Sequence, residues 1–223
     1  PGNSFFGTTS LVATLGDLSF AGSVAGSLAT TSGGATSFGL TTLTGGLTTT
    51  SVGDITQTGA ITTGAPSSIS SSTGDIALTN PGNSFFGATS LTATLGDLGF
   101  AGSVAGSLTT TSGGATSFGA TTLTGGLTTN SVGDITQTGA ITTGAPSSIT
   151  STTGDITLNN AGNSFFGATS LVASLGDLSF AGSVTGNLST TSAGTTSFGT
   201  TTLTGALTAN SVGDITQTGA ITT

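Results

Sequence analysis

Lysine, arginine, histidine, cysteine, methionine, tryptophan, tyrosine and glutamate are all missing from this chain. Each absence closes off a chemistry. Without histidine, cysteine or lysine there is no ordinary general base, thiolate nucleophile or Schiff-base amine. Without histidine or cysteine the ligands of a zinc or other transition-metal centre are lacking. Nucleic-acid binding rests on cationic side chains that neutralise phosphates, and none is present. The eight acids, all aspartates, give a net charge of −8, which repels phosphate backbones and anionic membrane surfaces. No apolar run is long enough to span a bilayer, and no segment has the pattern of a signal peptide. The expectation is a protein that is not an enzyme, with no catalytic, cofactor-binding or metal-binding residues, no nucleic-acid partner and no membrane-spanning segment.

What remains points to strands. The chain has 39 glycines and is rich in serine and threonine, a poor composition for helices. Threonine, valine, isoleucine and phenylalanine suit pleated, half-buried strands. Disorder would call for little apolar content and high charge. Here 34% of residues are apolar, and they sit at regular positions, so an ordered fold is expected.

The phrase Gly53-Asp54-Ile55-Thr56-Gln57-Thr58-Gly59-Ala60-Ile61-Thr62-Thr63 returns unchanged from Gly133 to Thr143 and from Gly213 to Thr223, which defines an 80-residue period. Residues 1–80 and 81–160 differ at ten positions, and a partial third copy runs from 161 to 223. The chain therefore reads as one continuous array, 1–223. Pro1 and Thr223 both fall inside a repeat, as expected of an excerpt from a longer chain. Gly-Asp pairs subdivide the period. The step from Asp17 to Asp54 is 37, from Asp54 to Asp75 it is 21, and from Asp75 to Asp97 it is 22. If the longest interval holds two units, each period contains four units of about 20 residues, the length of one β-helix coil. The fold class that follows is all-β, a parallel β-solenoid with four coils per repeat. It has about eleven coils at ~4.8 Å each, a rod on the order of 50 Å long.

The apolar residues divide accordingly. The first coil carries Leu18, Phe20, Val24 and Leu28, and the second Phe38, Leu43, Leu47 and Val52. Ile55, Ile61 and Ile69 belong to the third, and Ile76, Leu78, Phe86 and Leu91 to the fourth. Spacings of two mark strands, and Gly, Pro, Asn or Ser mark corners. Asn80-Pro81-Gly82-Asn83 is read as a turn in which Gly and Asn accept left-handed backbone. One member of the pair Phe5-Phe6 should point inward with Phe20 and Phe38, the alternative being a sticky patch with both exposed. Leu40, Ala120 and Thr200 share one repeat position, which should face solvent or a neighbour.

The motifs Gly-Asp-Ile-Thr-Gln-Thr-Gly-Ala-Ile-Thr and Thr-Gly-Asp-Ile-Ala-Leu-Thr-Asn-Pro-Gly-Asn-Ser-Phe-Phe-Gly resemble the repeats of giant bacterial exoproteins. These are the filamentous-haemagglutinin-like adhesins and related β-strand-repeat surface proteins. The resemblance covers essentially the whole chain. It implies a right-handed parallel β-helix, secretion to the bacterial cell surface, and a role in adhesion or extracellular matrix. The expected function is a structural segment of a secreted filament or biofilm-matrix fibre. The alternatives are the spacer stalk of an adhesin or an ice-binding, Thr-rich solenoid. Partners would be further copies of the same chain, end to end or side by side, with cell surfaces or glycans as other candidates.

Four sets of residues merit a structural test. Asp54, Asp75 and Asp97 on consecutive coils would form a carboxylate ladder. Calcium wants six to eight oxygens, so corner hydrogen bonds to backbone N–H groups are the expected role. Thr56, Thr58, Thr62 and Thr63 are the candidates for a regular hydroxyl array. Asn187-Leu188-Ser189 is the one N-x-S/T sequon. Gln57, Gln137 and Gln217 are expected to bond to neighbouring coils.

Overall fold

The computed structural model describes residues 2–223, and among them there are 28 strands and no helix. The strands form two sheets, one of 17 strands and one of 11, and their pairing is parallel. The protein is a parallel β-solenoid of about 12 turns. The narrow sheet contributes one strand per coil and so measures the pitch. Thr9 pairs with Leu28, Leu28 with Leu47, Thr48 with Ser68, and Ser67 with Thr89, so the four coils of a period are unequal in length and the last is the longest. The same four steps run from Thr89 through Leu108, Leu127 and Ser147 to Thr169.

Each coil has three sides. Strand Thr89–Ala93 lies in the narrow sheet, and a corner through Asp97 leads into Leu98–Ala105 of the wide sheet. That strand bends in the middle, where the register with the next coil slips between Phe100 and Gly102. A second corner at Gly106-Ser107 returns the chain to the narrow sheet at Leu108. In other coils the two limbs of the wide sheet are separate strands, as in Ile135–Gln137 and Ile141–Thr142.

The bend between the limbs lengthens coil by coil. In-register partners bracket it as Phe100 to Ser103, Phe118 to Thr122, Gln137 to Thr142 and Leu158 to Ser164, and it returns to Phe180 to Ser183. The bend grows over four coils and then resets. With an extra residue at the aspartate corner of two coils (Leu95 in one, Thr73 or Thr153 in the other), this staircase produces the uneven pitch.

Alternation along each strand gives one face to the core, because successive side chains point to opposite sides. Inward columns run the length of the rod as a single apolar cluster from Leu18 to Leu203. Phe85 and Phe165 are buried and pack on Phe100 and Phe180, with ring centroids 6.1 Å apart in both pairs. Offset, tilted pairs of this kind are favourable. Thus one Phe of each pair is inward, and it is the first. Phe86 is 60% exposed and Val52 46% exposed, so both leave the core list expected from the sequence. For Phe86 the reason is parity, since Phe85 takes the inward register of Val104. Val52 lies past the end of its strand, Leu47–Ser51, on the outside of a corner. Leu40 is exposed as expected, and so are Ala120 and Thr200.

Most buried hydroxyls are paired inside the rod, those of Thr116, Thr190 and Thr196 being the exceptions. Ser32, Ser51 and Ser71 each donate to a glycine carbonyl one coil back, Gly16, Gly34 and Gly53, at 2.9, 2.7 and 2.8 Å. Thr30 and Thr49 pair hydroxyl to hydroxyl at 3.0 Å, as do Thr110 and Thr129. In the third copy Thr190 stands opposite Ala209, and its buried hydroxyl has no partner. A buried hydroxyl left unpaired costs about 1–3 kcal/mol. Thr129→Ala should therefore lower stability by about 1–2 kcal/mol, while Thr109→Ala on the outer face of the partner strand should change it by less than ~0.5 kcal/mol. Urea denaturation of the two variants side by side checks this.

Candidate functional site

The aspartates occupy one corner column. Asp Oδ1 of one coil accepts the backbone N–H at the same place in the next: Asp75 N–H to Asp54 at 2.9 Å, Asp97 N–H to Asp75 at 2.8 Å, and Ala115 N–H to Asp97 at 2.7 Å. The second copy repeats this with Asp134, Asp155 and Asp177. Every fourth coil has Ala35, Ala115 or Thr195 in the column, so runs of three stacked carboxylates are separated by an uncharged step. The expected corner hydrogen bond is present, but it joins coil to coil rather than closing its own turn. Among the described residues no three acidic side chains converge as metal ligands would. A shallow groove borders the ladder beside Ala77 and Gly99, and again beside Thr157 and Ser179.

Gln57 sits in an inward register, opposite Phe38. An amide there must be satisfied. Its Nε2 donates to Gly59 O at 2.6 Å and to Asn83 Oδ1 at 2.8 Å, and its Oε1 accepts from Asn83 Nδ2 at 2.8 Å. Asn83, 1% exposed, also accepts from Ile61 N–H and donates to the carbonyls of Leu78 and Ala101. Gln137 and Asn163 repeat the pair. The coil-to-coil bond expected of the glutamines is therefore made by Gln57 and Gln137, whereas Gln217 lies exposed in the last coil. Asn83 itself was not legible as a network residue. The available signal was its recurrence as Asn163, which follows Gln137 at the same distance as Asn83 follows Gln57.

The turn before it also differs from expectation, because among the described residues no non-glycine has positive φ and neither Gly82 nor Asn83 is left-handed. Asn80 Oδ1 instead accepts from Gly82 N–H at 2.8 Å, forming an Asx turn. Positive φ is found instead at glycines such as Gly87, at +80°, and Gly102, at +129°, where an added Cβ would lie 2.6 Å from Asn83.

Thr56, Thr58 and Thr62 are exposed but Thr63 is buried, so these four do not share one surface. The regular hydroxyl array is elsewhere, on the outer face of the narrow sheet. In-register columns there run Thr48, Ser68, Ser90, Thr109, Thr128 and Thr50, Ser70, Thr92, Thr111, Asn130. Of their hydroxyls only that of Ser70 bonds within the described residues, to Thr49 O at 3.3 Å. Asn187 of the sequon accepts from Ala206 N–H at 2.9 Å, the place that Ser27 fills against Gly46 N–H in the first copy.

A family described as repeats of unknown function (DUF5649) matches residues 25–92, 105–172 and 174–223. The chain belongs to this family. The first two DUF5649 matches begin at residues 25 and 105, one full period apart, so the family's unit follows the four-coil period rather than the single coil. No curated protein and no solved structure matches the chain.

Two outcomes are expected of these DUF5649 coils. Asn83→Ala orphans the Gln57 amide, the Ile61 N–H and two carbonyls, and should cost about 3–5 kcal/mol in chemical denaturation. Chelation by EDTA should leave the melting temperature unchanged, as Oδ1 of each ladder carboxylate is engaged with a backbone N–H and no three acidic side chains converge among the described residues.

Proposed function

We propose that this chain is a structural segment of a secreted extracellular β-helical filament or surface fibre, without catalytic chemistry. The observation that carries the reading is the unbroken coil lattice. In-register pairing runs along the rod around one apolar cluster, and the ten positions that differ between the first two copies lie outside it. Such a rod gains stability by adding coils and spans distance without a hinge. The right-handed sense and the bacterial-surface location come from the resemblance to haemagglutinin-like exoproteins. A second reading, the spacer stalk of an adhesin, draws on the same rigidity. The flat hydroxyl columns of the narrow sheet favour a third, ice binding.

The deciding experiment is electron microscopy of native material from the source organism, with fibre diffraction. Long uniform filaments with an axial reflection at ~4.8 Å are expected. Short single rods projecting from cells would replace the fibre with the stalk. A second consequence is durability. With no lysine or arginine the chain offers trypsin no site, and chymotrypsin should leave the rod intact over hours because strand pairing holds the backbone beside Phe86 and Phe166. Gel electrophoresis reads that result.

A further inference from the structure

The three sides of the rod are not equivalent. The aspartate corner joins the narrow sheet to the first limb of the wide sheet, through residues such as Asp97 before Leu98. The second limb is therefore the one side that does not touch the charged corner. Its outward residues are small and uncharged except at one place per period. Following the pairing of Ser84, Phe85 and Phe86 with Ser103, Val104 and Ala105, the column holding Phe86 continues through Ala105, Thr124 and Gly144 to Phe166. Phe86 is 60% exposed and Phe166 55% exposed. The surface is a row of aromatic knobs four coils apart, ~19 Å, with a hollow of Ala, Thr and Gly between them.

We infer that this side is a lateral docking surface for a second copy of the chain, the Phe86 and Phe166 rings of one rod seating in the Ala105–Thr124–Gly144 hollows of the other. Three observations select that occupant. The chain has no cation, so a partner cannot be held by charge pairing between copies, and a contact must avoid the aspartates. Joining the second limbs places both charged corners at the outside of the pair, where like-charge repulsion is least. Knob and hollow also share one column and one period, so the surface is complementary to itself, as an interface between identical copies requires. A strip ~50 Å by ~12 Å buries about 600 Å² on each copy, near the lower bound for a stable interface. Aromatic anchors concentrate binding in such strips, and their effect multiplies with the number of periods engaged.

The inference rests on the fibre reading but is tested apart from it. The 223-residue chain is followed by sedimentation equilibrium and small-angle X-ray scattering up to ~100 µM, a weak-affinity range. Expected is a species with doubled cross-section and unchanged length. Phe86→Ser with Phe166→Ser should weaken it at least tenfold, and so should Thr124→Glu, which fills the hollow and leaves the rings in place. Leu95→Ser with Leu175→Ser removes equally exposed apolar residues from the aspartate corner and should leave association unchanged; circular dichroism verifies the fold of each variant. Monomeric rods throughout, growth in length alone, or equal loss in the leucine control would overturn the proposal. So would monomers that bind a glycan array through Phe86, or that inhibit ice recrystallisation. None of these outcomes touches the fibre reading, which depends on the form of the native material.

Discussion

The backbone hydrogen bonds that hold each strand of this protein go to the coil above or below, never to another strand of the same coil. The rest of the structure follows from that constraint, because in-register stacking turns each position of a coil into a column. An inward column must be apolar or must pair its polar groups along the axis. In the narrow sheet this produces compensation between neighbouring columns: Leu28 and Leu47 accompany Thr30 and Thr49, while Thr9 and Ser67 accompany Leu11 and Ile69. Bulk is kept nearly level from coil to coil, and the threonines that replace bulk bond to each other.

The same constraint explains the oddest feature, a pitch that is not constant. A column can stay in register while coil length changes only if the extra residues are extruded at corners. The bend between the two limbs takes them, growing coil by coil until the step from Leu158 to Ser164. The longest bend would leave a polar gap behind Gln57 or Gln137. Asn83 and Asn163 fold back into that gap and close it, against the next coil's Ala101 or Ala181. The 80-residue period is thus the length of one staircase and its reset. A single-coil consensus is absent for the same reason, since no two adjacent coils carry the same bend.

Much of this was readable in the chain. The Gly-Asp intervals reported four coils because the aspartate is tied to one corner, and the long interval reported the coil whose column position is Ala35. The ten differences between the first two copies all fall on exposed or half-buried positions, among them Val12/Thr92, Ala29/Thr109 and Thr50/Asn130. Of these, the position of Leu40 and Ala120 is the one read from the sequence as outward. What escaped depended on parity or on partners distant in sequence. Which of Phe85 and Phe86 turns inward is set by the bend at residues 79–83, whose length no local rule fixes. Val52 and Leu95 carry apolar side chains because a corner's outer surface imposes no polarity. Asn83 looked like a turn residue because most of its hydrogen-bond partners, Gln57, Ile61 and Ala101, lie in other coils.

A one-dimensional lattice confines damage as well as order. Because a coil touches only its neighbours, the unpaired hydroxyl of Thr190 opposite Ala209 weakens one junction and leaves the others as they were. An array can therefore drift at single junctions, provided enough coils remain to hold each one between its neighbours. Charge obeys the opposite logic, because repulsion acts across several coils at once. All eight aspartates share one corner, with each run of three interrupted by a neutral step, and the other two corners carry none. Concentrating charge on one edge leaves the side opposite to it uncharged. A long array built this way has a charged edge and an uncharged side along its whole length, a polarity across the rod that a uniformly charged solenoid would lack.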